Sequence, residues 1–147
     1  MSVTSLAEVG VELPDLVRPL RAVDLVAYAG ATWDWHRLHF DQTYAASRGL
    51  PAPIVDGQMF GALLVEQVQD AFGPKARVIG VTFRFAAMVY ADEVVRVRGR
   101  VIEVVPDRGR STVTVEQSIT VEDEEGRTAM REAQTTAVLA TGPGGSG

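Results

Sequence analysis

From Gln58 to Phe72 the chain carries Met59, Phe60, Ala62, Leu63, Leu64, Val65, Val68, Ala71 and Phe72, enough apolar residues to cover most of a helix circumference. A helix that is apolar nearly all round has no side suited to water and belongs inside a protein. The rest of the chain must therefore supply its cover. Downstream, Val113, Val115, Ile119 and Val121 alternate with Thr112, Thr114, Glu116, Ser118 and Thr120, the period of two that marks a sheet with one buried face. Glu122 to Gly126 makes a polar turn into a further strand, Arg127 to Leu139. Two more strands, Arg77 to Met88 and Glu93 to Val105, come before, parted by Ala91-Asp92, and Pro106-Asp-Arg-Gly109 is a strong turn signal after the second. Four long strands on short polar connections predict an antiparallel meander. The fold class is α+β, with the sheet wrapped around one long central helix.

The first half is mixed. Residues 9 to 20 contain Pro14 and Pro19, which suits an edge strand or an irregular lead-in. Val23 to Ala31 reads as a short helix whose buried face holds Val23, Val26, Ala27 and Gly30. Asp41 is placed to N-cap a second short helix through Ala46, which Gly49 and Pro51 terminate.

A chain of 147 residues fits one domain, here 1–140, and 141–147 (Thr-Gly-Pro-Gly-Gly-Ser-Gly) reads as a disordered tail. There is no cysteine, so disulfides, zinc–thiolate sites and a thiol nucleophile are excluded together. Net charge is −5 with the two signs interspersed, and no basic cluster exists to neutralise a run of phosphates. Nucleic acid is not an expected partner. The N-terminus lacks the charged and apolar regions of a signal peptide. The longest apolar stretch, Val78 to Ala91, is broken by Arg84 and too short to span a bilayer. No membrane association and a cytoplasmic location are the expectations.

Both histidines, His36 and His39, and both tryptophans, Trp33 and Trp35, fall in one short segment flanked by Asp34 and Asp41. Histidine exchanges a proton near neutral pH, and a neighbouring carboxylate orients it and tunes its basicity. A capped turn with stacked aromatics and solvated charges explains the same residues, and the spacing alone leaves both readings open. Asp34, His36, His39 and Asp41 could also hold zinc or iron. No further histidine or cysteine exists to complete such a set, and no metal is expected. Gly57, at the start of the apolar helix, lets a ligand approach a backbone N–H closely at the positive end of the helix dipole, the arrangement of an oxyanion hole. Tight helix-to-sheet packing needs a glycine there equally well.

Together these residues resemble the MaoC-like, (R)-specific enoyl-thioester hydratase branch of the hotdog superfamily. The family motif runs from an aromatic residue through small residues to Asp-x-Asn-Pro-x-His-x-Asp. The matching stretch is Tyr28-Ala-Gly-Ala-Thr-Trp-Asp34-Trp-His-Arg-Leu-His39-Phe-Asp41. Pro53-Ile54-Val55-Asp56-Gly57-Gln58 stands for the family's Pro-Ile-Val-His-Gly-Met. Gly80 to Phe85 and Val89 to Val94 resemble the strand and strand start that follow. The resemblance runs from about residue 9 to 139. It implies a single hotdog domain in which Asp34 and His39 hold and activate a water while Gly57 N–H binds the thioester oxygen. It further implies reversible syn hydration of a trans-2-enoyl thioester, carried by CoA or acyl carrier protein, to the (R)-3-hydroxyacyl thioester. No cofactor is needed. A homodimer, or a heterodimer with another hotdog subunit, is the implied assembly.

The chain departs from the motif at His36-Arg37, where the family has Asn-Pro, at Asp56 in place of His, and at Val65 in place of a serine. Two other functions fit the same fold. One is a non-catalytic or half-site subunit of a heteromeric acyl dehydratase. The other is a hotdog acyl-CoA thioesterase, whose carboxylate would sit on the central helix, where Glu66 is the only acid before the last turn.

Overall fold

A computed structural model describes residues 6–140 of the chain. The tail assigned to 141–147 lies outside the described residues. Strand β1 (Leu16–Pro19) leads into helix α1 (Ala22–Thr32), a 3-10 turn (Arg37–His39) and helix α2 (Gln42–Ser47). The long helix α3 (Gly57–Phe72) follows, and then β2 (Arg77–Phe85), β3 (Val94–Asp107), β4 (Arg110–Val121) and β5 (Thr128–Ala140). All five strands pair antiparallel in the order β1-β3-β4-β5-β2.

The strands bury the face their sequence specifies. Val113, Val115, Ile119 and Val121 of β4 are buried, as are Val95, Val97 and Val101 of β3, and α3 lies across this face in contact with β2 to β5. β5 keeps its apolar residues inward through a bulge. Glu132 has a φ of 51°, and the inserted residue lets Met130 and Ala133 both face the core although they are three apart. The β3–β4 hairpin turns on Arg108 and Gly109, both at positive φ.

Three sequence expectations need correction. The strands are not a simple meander. β3, β4 and β5 are, but β2 crosses to the far edge and pairs with β5, so the segment 86–93 is a crossover and not a hairpin turn. The alternation of residues cannot register this choice, because pairing partners are set by tertiary closure. Helix α1 buries Leu25 and Ala29, while Val23 and Val26 are exposed; its residues are apolar on two adjacent stripes, and Leu25 joins the core cluster with Leu20 and Met59. Finally, α3 is not enclosed on all sides. Met59, Phe60, Leu63, Leu64, Val68, Ala71 and Phe72 are buried, but Ala62, Val65, Glu66 and Gln69 line an open groove.

The buried side of α3 carries one polar residue, and it is fully accommodated. Gln67 donates to the carbonyls of Pro14 and Val97 at 2.9 and 3.1 Å. Its own oxygen accepts from Gln117, which also donates to the Leu64 carbonyl, and Thr135 donates to Gln117 at 2.5 Å. Gly99 is where β3 passes closest: a Cβ there would lie 2.7 Å from Gln67 Oε1.

Candidate active site

The segment after α1 is fixed by its own side chains. Trp33 ends the helix in the left-handed region at a φ of 60°. Asp34 then accepts from His36 N–H at 3.2 Å, and His36 Nδ1 accepts from Leu38 N–H at 3.2 Å, capping the 3-10 turn that presents His39. His36 therefore has a structural task.

Asp41 N-caps α2 through Tyr44 N–H at 2.9 Å and pairs with Arg37 at 2.7 Å. Arg37 also lies 4.5 Å above the Tyr44 ring. The Tyr44 N–H, and then the Arg37 guanidinium, hold the Asp41 carboxyl below the usual carboxylate range. A depressed carboxyl pKa stabilises the fold above the unfolded-chain value, and that contribution disappears as pH falls through the folded value. Thermal melts followed from neutral pH to about pH 3 should therefore show an acid loss of stability that is shallower in Asp41→Asn, because the amide keeps the cap without titrating.

His39 is held from the other side. Its Nδ1 lies 2.8 Å from the Ile54 carbonyl. A carbonyl can only accept, so Nδ1 carries the hydrogen and Nε2 is the ring nitrogen left for proton exchange. Ile54 N–H in turn donates to the Leu38 carbonyl at 2.9 Å, and Val55 N–H to Val89 at 2.8 Å. These bonds clamp the strand-like 53–55 segment between the histidine loop and the crossover from β2. One residue on, Asp56 caps α3 through Gln58 N–H at 2.9 Å.

Asp34, His39 and Asp56 converge, each offering a ligand atom within 4.8 Å of the others. They share a narrow cleft with Tyr28, Leu25, Ala29 and Met59. Burial, and then the Asp56 charge, raise the Tyr28 pKa, which keeps its hydroxyl protonated and able to donate. Two carboxylates, an imidazole and a phenol are suited to hold a water and move its protons; one imidazole and two carboxylates would also suit a divalent cation. The set considered from sequence, with His36 and Asp41, is not assembled, since both are engaged in caps.

His39 also borders a second space. A mostly apolar cavity of about 340 Å³ is lined by His39, Ile54, Val55, Gly57, Phe60, Phe85, Ala86, Ala87 and Met88. Gly57 is the first residue of α3, and its N–H meets no acceptor among the described residues. The structure thus joins Asp34 to His39 in the cleft and His39 to Gly57 in the cavity. Asp56 and Tyr28 were not read as site residues from sequence; the only signals were the substitution before Gly57 and the aromatic that opens the motif. Val65 lies in the open groove along α3, away from His39. Glu66 lines that same groove and is ion-paired with Arg18 of β1, not with the cleft. A larger depression, about 520 Å³, is lined by Asp15, Arg98, Arg100, Glu116, Arg131 and Glu132 among others and by neither histidine.

A five-stranded antiparallel sheet across one long helix is the architecture of a hotdog domain. The chain belongs to the MaoC-like domain family, whose model matches residues 8–124. The R-hydratase PhaJ1 from Pseudomonas aeruginosa superposes with a TM-score of 0.80 at 24% identity over 95% of this chain and 84% of that one. The ChsH1-ChsH2 complex from Mycobacterium tuberculosis gives 0.76 and 24%, covering 90% and 98%. The HadBC (3R-hydroxyacyl-ACP dehydratase) complex from the same organism gives 0.72 and 20%, covering 88% and 96%. A search of curated proteins found no significant match. No helix among the described residues is long and apolar enough to cross a membrane.

Proposed function

We propose that this chain interconverts trans-2-enoyl and (R)-3-hydroxyacyl thioesters by syn addition and elimination of water. The observation that carries this reading is the position of His39. It is oriented by the Ile54 carbonyl, clustered with Asp34, and opens on the apolar cavity that Gly57 also lines. In the hydration direction the water oxygen bonds to C3 and its proton passes to the Asp34–His39 pair. The pair returns a proton to C2 on the same face, so one water is added and the site is restored. Negative charge that develops on the thioester oxygen is met by Gly57 N–H and the α3 dipole. Asp34 and His39 share the acid–base work, His39 through Nε2.

β2 is an edge strand of the sheet with Ile79 exposed at 54%, and a free edge of nine residues invites pairing. A second hotdog subunit, another copy of this chain or a different one, is proposed to cover it. The half-site alternative draws support from Phe85, whose ring packs against Gly57, and from Asp56, which adds a second carboxylate. Absorbance at the enoyl-thioester band, followed with the purified chain over a panel of enoyl-CoA chain lengths, tests the reading. Loss of the band is expected for at least one length, and no change for any length with the chain alone would sink the homomeric enzyme.

A further inference from the structure

Gly57 is covered. A Cβ built on it would lie less than 3.0 Å from two atoms of the Phe85 ring, so the ring lies directly on the backbone at the start of α3. One turn along, Gly61 receives Phe83 in the same way, with its Cβ position 3.1 Å from that ring. The two aromatics stack edge-on at 5.5 Å. They differ in how they are held. Phe83 packs against the core cluster. Phe85 is the last residue of β2, is 62% exposed and is not part of that cluster.

The Phe85 ring lines the cavity that holds His39 and Gly57, while Phe83 lines the groove of about 440 Å³ along α3 with Tyr28, Gly61, Val65 and Val81. A thioester bound at Gly57 N–H shares this cavity with the ring, and close packing makes the position and bulk of the ring decide how much room the acyl chain has. An exposed side chain at a strand end changes position on the fast timescale of rotamer exchange. A strand added to the β2 edge would bond to its backbone, while the ring stays on the helix side.

We infer that Phe85 is a specificity-determining gate: its ring packs on Gly57 within the cavity that His39 lines, and its bulk sets which acyl chains fit there. This rests on the thioester reading of the site. Gly57 then has two tasks, to admit the ring and to expose its N–H, which is why neither of its sequence-based explanations excludes the other.

The test measures binding separately from turnover. Calorimetry with two saturated thioesters that keep the carbonyl but can be neither hydrated nor dehydrated, butanoyl-CoA (the butyl probe) and dodecanoyl-CoA (the dodecyl probe), is run on the wild type, Phe85→Leu and Phe85→Ala. Each variant is also assayed for hydration of the matching enoyl-CoA. A smaller residue should favour the dodecyl over the butyl probe by about tenfold relative to wild type, a preference the size of one or two methylenes in an apolar pocket, with Leu between Phe and Ala. A chain-length preference unchanged by either Phe85 variant, or equal weakening of both probes, overturns the gate. Hydration with an unchanged preference discards the gate and keeps the hydratase. A shifted preference without hydration does the reverse, and failure to bind either probe discards both.

Discussion

Asp34→Asn is expected to slow enoyl-thioester hydration by at least about a hundredfold, the usual scale for losing a positioned general acid or base. The loss should fall on kcat, because the carboxylate acts on the water and not on the acyl chain. Little else should change. Asp34 is exposed, and its recorded bond is one acceptance from His36 N–H at 3.2 Å, which an asparagine oxygen can reproduce. A circular-dichroism melt within a degree or two of wild type should accompany the kinetic loss. His39→Ala should lose at least as much activity. It also gives up the Ile54 contact at 2.8 Å, so a modest drop in melting temperature is expected with it. Wild-type rates in both folded variants would remove Asp34 and His39 from the mechanism.

The largest effect on stability is expected at Gln117. Replacing it with leucine keeps the volume but removes both the donor to the Leu64 carbonyl and to Gln67 Oε1, and the acceptor for Thr135. Gln67 is 2% exposed, Gln117 3% and Thr135 0%, so no water replaces the lost partners. A buried polar group left without a partner costs about 1–3 kcal/mol, and two are stranded here. Denaturant unfolding should give a loss of about 2–5 kcal/mol for Gln117→Leu. Adding Thr135→Val should recover part of it, since one stranded hydroxyl is then gone. A loss under about 0.5 kcal/mol, the size typical of surface changes, would mean that the network is not a structural determinant.

Some of this molecule is local and some is not. The alternation in β4 and the apolar run of α3 are local patterns; the first marks its buried residues, and the second marks all but Ala62 and Val65, which face the groove. The Asp34–His39 pair was legible because a single loop carries both groups. Helix α1 was misjudged in orientation, since Val23, Val26 and Ala27 form as good a stripe as Leu25 and Ala29. Only the location of the core beneath Leu25 decides between them. The placement of β2 beside β5 depends on contacts between residues far apart in sequence, from Phe85 with Met130 to Arg77 with Val138, and no nearby residue signals it. Asp56 reaches the histidine cleft because Ile54 is bonded to Leu38 and Val55 to Val89. Phe85 reaches Gly57 for a similar reason: β2 returns along α3. These are properties of closure, and they supply the parts of the site that motif spacing leaves out.

Central to this account is that Asp34, His39 and Gly57 add water to one face of an enoyl thioester. The most direct measurement is chiral separation of the 3-hydroxyacyl product formed from crotonyl-CoA, or from the best substrate of the chain-length panel, by the purified protein. The account predicts the (R)-3-hydroxyacyl thioester, with its formation abolished in Asp34→Asn. An (S) product, or (R) product formed equally by wild type and Asp34→Asn, would contradict it.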